Sequence, residues 1–155
     1  MKRPAFVALA VLVLAACQDA TKPELTTPGV SLAYEGAPVS TFTVTNTSDA
    51  GAGSLRQAIL DANGSAGTDL IDFNIPAASD LGCDSGTGVC TIQPLSELPG
   101  ITDPVVIDGY SQPGASRNTN APELGTNAVL KVELDGSNAG PTTVGLEITG
   151  GNSTV

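Results

Sequence analysis

The chain has no histidine and no tryptophan, and only two tyrosines and three phenylalanines occur among its 155 residues. Without histidine there is no Ser-His or Cys-His nucleophile, and the commonest general base near neutral pH is missing. The same absence removes the usual nitrogen ligand of zinc sites. Few aromatic rings leave few flat platforms on which a sugar could stack. The residue composition therefore does not favour a catalytic function for this chain.

Basic residues are also scarce, because six lysines and arginines stand against sixteen acidic residues and give a formal net charge of −10. A surface of that sign repels phosphate backbones, and no basic stripe is present to neutralise them. The sequence therefore predicts no nucleic-acid partner. An acidic surface is also repelled by anionic lipids, so electrostatic adhesion to a membrane is not expected.

Residues 1–16 have the pattern of an export signal. Lys2 and Arg3 give a positive start, residues 6–14 form an unbroken apolar run, and small side chains precede Cys17. This is the layout of a secretory signal with a small-residue cleavage site. The apolar run is too short for a membrane-spanning helix, which needs about 20 residues. An ordinary secretory signal that ends near a cysteine is the alternative.

The motif Leu14-Ala15-Ala16-Cys17 resembles the lipobox of bacterial lipoproteins. The resemblance implies that the Cys17 thiol receives a diacylglycerol and becomes the new N-terminus, which makes the lipid bilayer a partner. Two or more acyl chains are needed for stable attachment, because a single chain holds only marginally. Gln18 follows the cysteine, where some Gram-negative lipoproteins carry an aspartate that retains them at the inner membrane. Sorting to the outer membrane is therefore favoured.

With Cys17 assigned to lipid, Cys83 and Cys90 remain as a pair in an exported chain. Such pairs oxidise and persist outside the cytoplasm, and the turn-forming residues 84–89 would allow the two cysteines to approach each other. A metal-binding pair is the competing interpretation. Because no histidine and no further thiol could complete a tetrahedral site, we expect a disulfide.

Residues 17–40 contain several prolines, glycines and threonines and have no sustained hydrophobic period. This composition predicts a flexible tether between the lipid and a folded domain at residues 41–155. The domain is expected to open with a strand at residues 41–45, in which Phe42 and Val44 share one face.

A short amphipathic helix is predicted to begin at Ser54. The Ser54 hydroxyl can cap the first turn while Gln57 reaches back, which is the spacing of a capping box, and Asn63-Gly64 can end the helix. Apolar residues recur at i, i+3, i+4 and i+7 and form one stripe, Leu55, Ala58, Ile59 and Ala62. Because so short a helix is marginal alone, the stripe must pack against the rest of the domain.

Further short strands are predicted at residues 70–75, 91–93, 104–107, 129–134 and 145–148. Each is followed closely by Gly, Pro, Asp or Asn. Recurring strand-plus-glycine units at a spacing of about 20–30 residues favour stacked coils, in which neighbours bury each other's apolar faces. A β-sandwich is the alternative, since it also uses many short strands.

Several parts of the chain resemble a known family. Residues 43–49 (TVTNTSD) followed by 53–63 (GSLRQAILDAN) are similar to the entry segment of bacterial right-handed parallel β-helix proteins with pectin-lyase-like folds, some of which carry a related CSLREA motif. Residues 101–114 and 134–140 are similar to the same group. The resemblance covers residues 41–155 and implies an all-β, right-handed parallel β-helix. It also implies that Leu55, Ile59 and Ala62 plug the open end of the first coil.

Two function classes remain open. The first is a non-catalytic surface or periplasmic lipoprotein for adhesion, scaffolding or polysaccharide binding, and the second is a polysaccharide lyase or glycoside hydrolase. Lyases of this fold typically use clustered carboxylates, Ca²⁺ and an arginine base, for which the candidates are Asp103, Asp108, Asp135 and Arg117.

The non-catalytic class is preferred on the residues. Aspartate before glycine at a turn more often bonds local backbone than metal, and Ca²⁺ needs six to eight converging oxygens. We therefore expect no cofactor, with Ca²⁺ as a weak alternative. Since members of the group usually continue for many more coils, the sequence is also expected to be the N-terminal part of a longer β-helix.

Overall fold

The computed structural model describes residues 40–155, so the signal, Cys17 and the tether predicted from the sequence lie outside the described residues. The strands of the described part are β1 (Thr41–Val44), β2 (Asp69–Phe73), β3 (Cys90–Ile92), β4 (Val105–Asp108) and β5 (Val132–Leu134). One α-helix, α1 (Leu55–Gly64), joins β1 to β2. Short 3₁₀ turns lie at Gly109–Ser111, Pro122–Leu124 and Gly136–Asn138.

The strands form two small sheets. β1, β2 and β4 lie side by side in that order, and β3 lies beside β5. Every strand pair in residues 40–155 is parallel. Antiparallel contacts in this part of the chain are isolated bridges, between Cys83 and Cys90 and between Ser116 and Val129.

The parallel pairs repeat in one order along the chain. β2 pairs with β4, β3 pairs with β5, and Ile101 then bridges in parallel to Ile148. After that, Val106 of β4 bridges in parallel to Thr154. Four successive stretches of chain therefore each lie beside a counterpart that comes later in the sequence.

Alternation along the strands decides which side chains enter the core. In β2, Ile71 and Phe73 are buried whereas Leu70 and Asp72 between them are partly exposed, and β4 repeats this pattern. Burial of these apolar side chains is the main favourable contribution to folding, at roughly 25 cal/mol per Å² removed from water. The same core cluster includes residues of α1, of β3 and of the loop before β4, namely Leu55, Ala58, Ile59, Ala62, Cys90, Ile92, Leu98 and Ile101.

The observed strands are shorter than several predicted ones. Of residues 129–134 only Val132–Leu134 form a strand, because Val129 turns away to exchange backbone hydrogen bonds with Ser116. Residues 145–148 contribute a single bridge at Ile148. The prediction at residues 70–75 ran too far, since β2 ends at Phe73.

Candidate functional site at the capped end

The N-terminus of α1 is fixed by Ser54, whose side chain is fully buried. Its hydroxyl oxygen accepts a hydrogen bond from the Gln57 backbone N–H at 3.2 Å and donates to the Gly51 carbonyl at 2.7 Å. The side-chain amide of Gln57 donates to Asp61 at 2.8 Å and does not reach back to Ser54. The predicted cap by the Ser54 hydroxyl therefore forms. The prediction that the Gln57 side chain reaches back to Ser54 was wrong.

The apolar stripe of α1 faces the core. Its four residues are buried, and Ile59 has no exposed surface at all. The helix lies against β1 and β2, which are the first two strands of the three-stranded sheet. Its exposed side carries residues such as Leu60.

Asn63, in the last turn of α1, bonds the backbone on both sides of Ile101. Its Nδ2 donates to the Gly100 carbonyl at 2.8 Å, and its Oδ1 accepts from the Thr102 N–H at 2.8 Å. The backbone of Ile101 itself bonds to Glu147 and Thr149 on the opposite side. The Asn63 amide thus takes the place of a neighbouring strand at this edge.

Arg56 ties α1 to the loop that follows β3. Its guanidinium donates to the Glu97 carbonyl at 2.6 Å and the Ser96 carbonyl at 3.0 Å, and it forms an ion pair with Asp49 at 2.8 Å. Asp49 also accepts from the Leu95 N–H at 3.0 Å. The Arg56 hydrogen bond, followed by that from Leu95, lowers the pKa of the Asp49 carboxyl below its ordinary value.

The outer edge of β3 is covered by the segment that contains Cys83. Cys83 and Cys90 form a disulfide, and the Thr91 N–H donates to the Gly82 carbonyl at 2.8 Å. The Asp84 N–H donates to the Val89 carbonyl at 2.8 Å and closes the intervening loop. The sulfur bridge therefore holds an antiparallel cover on the side of β3 that faces away from β5.

Asp80 anchors this cover to the segment after β1. Its carboxylate accepts from the Thr47 N–H at 3.1 Å, the Thr47 hydroxyl and the Gly82 N–H at 2.9 Å. Partial burial acts to raise the pKa of Asp80, but the Thr47 hydroxyl and the two N–H groups outweigh it, so that the pKa is lowered. The three donors therefore stabilise the ionised Asp80 carboxylate.

We use the term capped end for α1, β1 and residues 80–84 together. At this end β1 covers the edge of β2, the Cys83 segment covers the edge of β3, and Asn63 covers the edge at Ile101. Unpaired strand edges invite association with other chains. The capped end therefore protects three of the edges on its side of the domain.

A separate polar cluster lies at the end of β4. It contains Asp108 and Arg117, which are a candidate acid and the candidate base named from the sequence. An Arg117 Nη atom lies 3.0 Å from both carboxylate oxygens of Asp108. The guanidinium carbon is 4.7 Å from the centroid of the Tyr110 ring. Asp108 also accepts from the Tyr110 N–H at 3.0 Å, so its carboxylate caps the 3₁₀ turn that follows β4.

The other candidate acids are not gathered at this cluster. Asp135 follows β5 in the second sheet, where it accepts from the Gln93 side chain at 2.7 Å and the Ser137 N–H at 2.9 Å. Those bonds, the Gln93 one first, lower the pKa of Asp135. Asp103 lies in the turn before β4. Within residues 40–155, no three Asp, Glu, Cys or His side chains are grouped so that they could hold a metal ion.

Small cavities open on the surface of residues 40–155. One of about 170 Å³ lies between the outer edge of β1 and α1, and one of about 90 Å³ lies beside the turn after β5. No helix in the described part of the chain is long and apolar enough to cross a bilayer.

Comparison with known proteins bears on the N-terminus. Residues 1–18 match the family model of the prokaryotic membrane lipoprotein lipid attachment site. The chain thus carries a lipoprotein signal, which supports an exported, lipid-anchored protein of the cell envelope. Neither the curated proteins nor the solved structures gave a match.

Proposed function

We propose that residues 41–155 are the first coils of an all-β, right-handed parallel β-helix. The observation that carries the proposal is the repeated order of parallel pairs, β2 with β4, β3 with β5 and Ile101 with Ile148. A solenoid brings each stretch of chain beside its counterpart in the next coil. A β-sandwich pairs its strands antiparallel instead. The order of pairing therefore favours the stacked coil over the sandwich.

Nuclear Overhauser contacts across the strand pairs test this fold. We expect backbone contacts between Leu70 and Val106 and between Ile101 and Ile148, with the pattern of parallel strands. Contacts that run antiparallel between β2 and β4 would overturn the proposal.

The proposed function is that of a non-catalytic, lipid-anchored module of the cell envelope for adhesion, scaffolding or polysaccharide binding. Its support is that the polar residues suggested as catalytic are engaged in the fold. Asp108 is paired with Arg117 and caps a turn, and Asp135 caps another turn. The Arg117 guanidinium is held by the Asp108 carboxylate and stacked on the Tyr110 ring.

A polysaccharide lyase or glycoside hydrolase is the alternative. The lipidated protein should be incubated with acidic and neutral polysaccharides, with and without Ca²⁺, while unsaturated products are followed by absorbance and bound polymer by co-sedimentation. We expect no unsaturated product, whether or not the polysaccharide co-sediments with the protein. Product formation that Asp108→Asn and Arg117→Gln both abolish would favour the lyase.

Attachment through Cys17 and sorting to the outer membrane complete the proposal. Mass spectrometry of the mature protein should find a diacylglycerol on an N-terminal Cys17, and Cys17→Ser should leave the chain unprocessed. Gln18 favours the outer membrane, so Gln18→Asp is expected to move the protein toward the inner-membrane fraction. An unmodified mature N-terminus would contradict the anchoring.

A further inference from the structure

Asn63 is the one asparagine of the chain that is followed by glycine. An asparagine side chain can react with the backbone nitrogen of the next residue, and glycine hinders this reaction least because it has no side chain. Asn63 and Gly64 are the last two residues of α1. The least hindered asparagine of the chain is therefore the one whose amide covers the edge at Ile101.

The fold keeps the two reacting groups apart. The Asn63 side chain is directed to the backbone on either side of Ile101, with 2.8 Å bonds to the Gly100 carbonyl and the Thr102 N–H. The Gly64 nitrogen belongs to an α-helix, in which each N–H donates to the carbonyl four residues earlier. For the reaction, the amide must leave the Ile101 edge and turn toward its own peptide bond. The last turn of α1 must therefore open first.

We propose that Asn63-Gly64 is a deamidation site that reacts only when the capped end opens, and that the reaction then prevents residue 63 from covering the Ile101 edge again. The Gly64 nitrogen forms a bond to Cγ of Asn63, the Cγ–Nδ2 bond breaks, and ammonia leaves with the proton that the Gly64 nitrogen gives up. Water then opens the resulting imide ring at one of its two carbonyl carbons. The product is aspartate, or isoaspartate in which the backbone runs through Cγ, and water is the only reactant consumed.

The product lacks the donor that this edge needs. Carboxylate oxygens accept hydrogen bonds and do not donate them, so the Thr102 N–H keeps an acceptor while the Gly100 carbonyl loses its donor. The new negative charge lies at the C-terminal end of α1, where the helix dipole disfavours it. Isoaspartate also lengthens the backbone of the last helical turn by one carbon. A domain that opens is thus marked irreversibly by a change that the folded domain resists.

Mass spectrometry of the lipidated protein, held at pH 8 either folded in detergent or unfolded in urea, tests the site. In urea, Asn63 should convert to aspartate and isoaspartate faster than any other asparagine of the chain. In the folded protein its conversion should be slower by about tenfold or more, because only the open fraction reacts. Equal rates at Asn63 in the two states, or faster conversion of another asparagine in urea, would overturn the proposal.

Gly64→Ala separates the reaction from the fold. Gly64 is exposed, and a Cβ at this position meets no atom within 4 Å, so the helix should accept alanine. After repeated cycles of unfolding and refolding, the wild type should lose the Asn63 amide and recover its melting transition only in part, whereas Gly64→Ala should keep both. Equal losses of the amide in the two proteins would contradict the mechanism.

The effect of the product is measured with Asn63→Asp. Its equilibrium constant for unfolding should rise about tenfold, because the Gly100 carbonyl is left without a donor. Asn138→Asp adds the same charge at an exposed turn and is the matched control. Urea unfolding compares both with the wild type. An Asn63→Asp protein as stable as Asn138→Asp would show that the product does not open the Ile101 edge, and the proposal would fail.

Discussion

At the scale of single residues, two amide side chains replace missing strand partners. Asn63 bonds the backbone on either side of Ile101. Gln112 is buried and does the same for Ile75, accepting from its N–H and donating to its carbonyl at 2.8 Å each. Each amide supplies one donor and one acceptor, as a backbone neighbour would. They supply hydrogen-bond partners to backbone groups of Gly100, Thr102 and Ile75 where no neighbouring strand does so.

Replacement of Gln112 by leucine should therefore be costly. Gln112→Leu keeps much of the volume but leaves both backbone groups of Ile75 without a partner, at an expected cost of about 2–4 kcal/mol in the free energy of unfolding. Gln93→Leu is the matched control, because Gln93 is exposed and bonds only a side chain. Urea unfolding at neutral pH measures both. Equal losses in the two variants would refute the role assigned to Gln112.

Asp80 predicts an acid dependence of stability. Its pKa in the folded protein is lowered, so its contribution is fully present above the unfolded pKa of about 3.9 and is lost as the pH falls through the folded value. In Asp80→Asn, the side-chain amide places an N–H donor opposite the Thr47 N–H. The variant should therefore lose about 1–2 kcal/mol of its free energy of unfolding at pH 7.

Melting temperatures across pH 2–7 measure this effect. The difference between wild type and Asp80→Asn should shrink below about pH 4 as the wild-type carboxylate takes up a proton. A difference that stays constant down to pH 2 would mean that the charge of Asp80 does not stabilise the fold.

At the scale of elements, α1 depends on its first turn. Ser54→Ala removes the hydroxyl that accepts from Gln57 and donates to Gly51, and N-cap losses of this kind cost about 0.5–2 kcal/mol. Gln57→Ala should cost much less, because the Gln57 side chain bonds only Asp61 at the surface. Denaturant unfolding compares the two. A larger loss for Gln57→Ala than for Ser54→Ala would indicate that the Gln57 side chain bonds back to Ser54, contrary to the structure.

The plug proposed for α1 depends on its buried face. Ile59→Asp places a carboxylate where no side-chain surface is exposed and no partner is supplied, a change expected to open the end of the core and cause aggregation. Leu60→Asp is the neighbouring control, since Leu60 is 48% exposed. Size-exclusion chromatography should find aggregates for the first variant and monomer for the second. A monomeric, cooperatively unfolding Ile59→Asp protein would argue against the plug.

The sequence was a better guide to elements than to their partners. Alternation in residues such as Ile71 and Phe73 and the i, i+3, i+4 spacing around Ile59 are local signals, and α1 and strands near the predicted places are present. The roles of Asn63 and Gln112 depend on residues 37–39 positions away in the chain. No local pattern distinguishes such amides from ordinary helix-end or turn residues, so these contacts could not be predicted.

At the scale of the whole domain, stability depends on long-range pairs, because each strand pairs with one tens of residues away. Such a fold has few local contacts that hold an edge in place once it opens. The Cys83–Cys90 disulfide supplies a covalent clamp at one of these edges, where Thr91 bonds the Gly82 carbonyl. Loss of the disulfide should therefore loosen the edge of β3 before the rest of the domain.

Reduction of the disulfide is expected to lower the free energy of unfolding by about 2–3 kcal/mol in the chain-entropy description of a short loop. Hydrogen exchange should find the Thr91 amide less protected after reduction, while amides in β2 change little, because the cover of β3 opens before the rest of the domain. Thermal melting with and without reductant gives the global effect, and the Cys83→Ala, Cys90→Ala double variant, which should not respond to reductant, is the control. Unchanged melting and an unchanged Thr91 amide would show that the hydrogen bonds of the Cys83 segment hold this edge without the sulfur bridge.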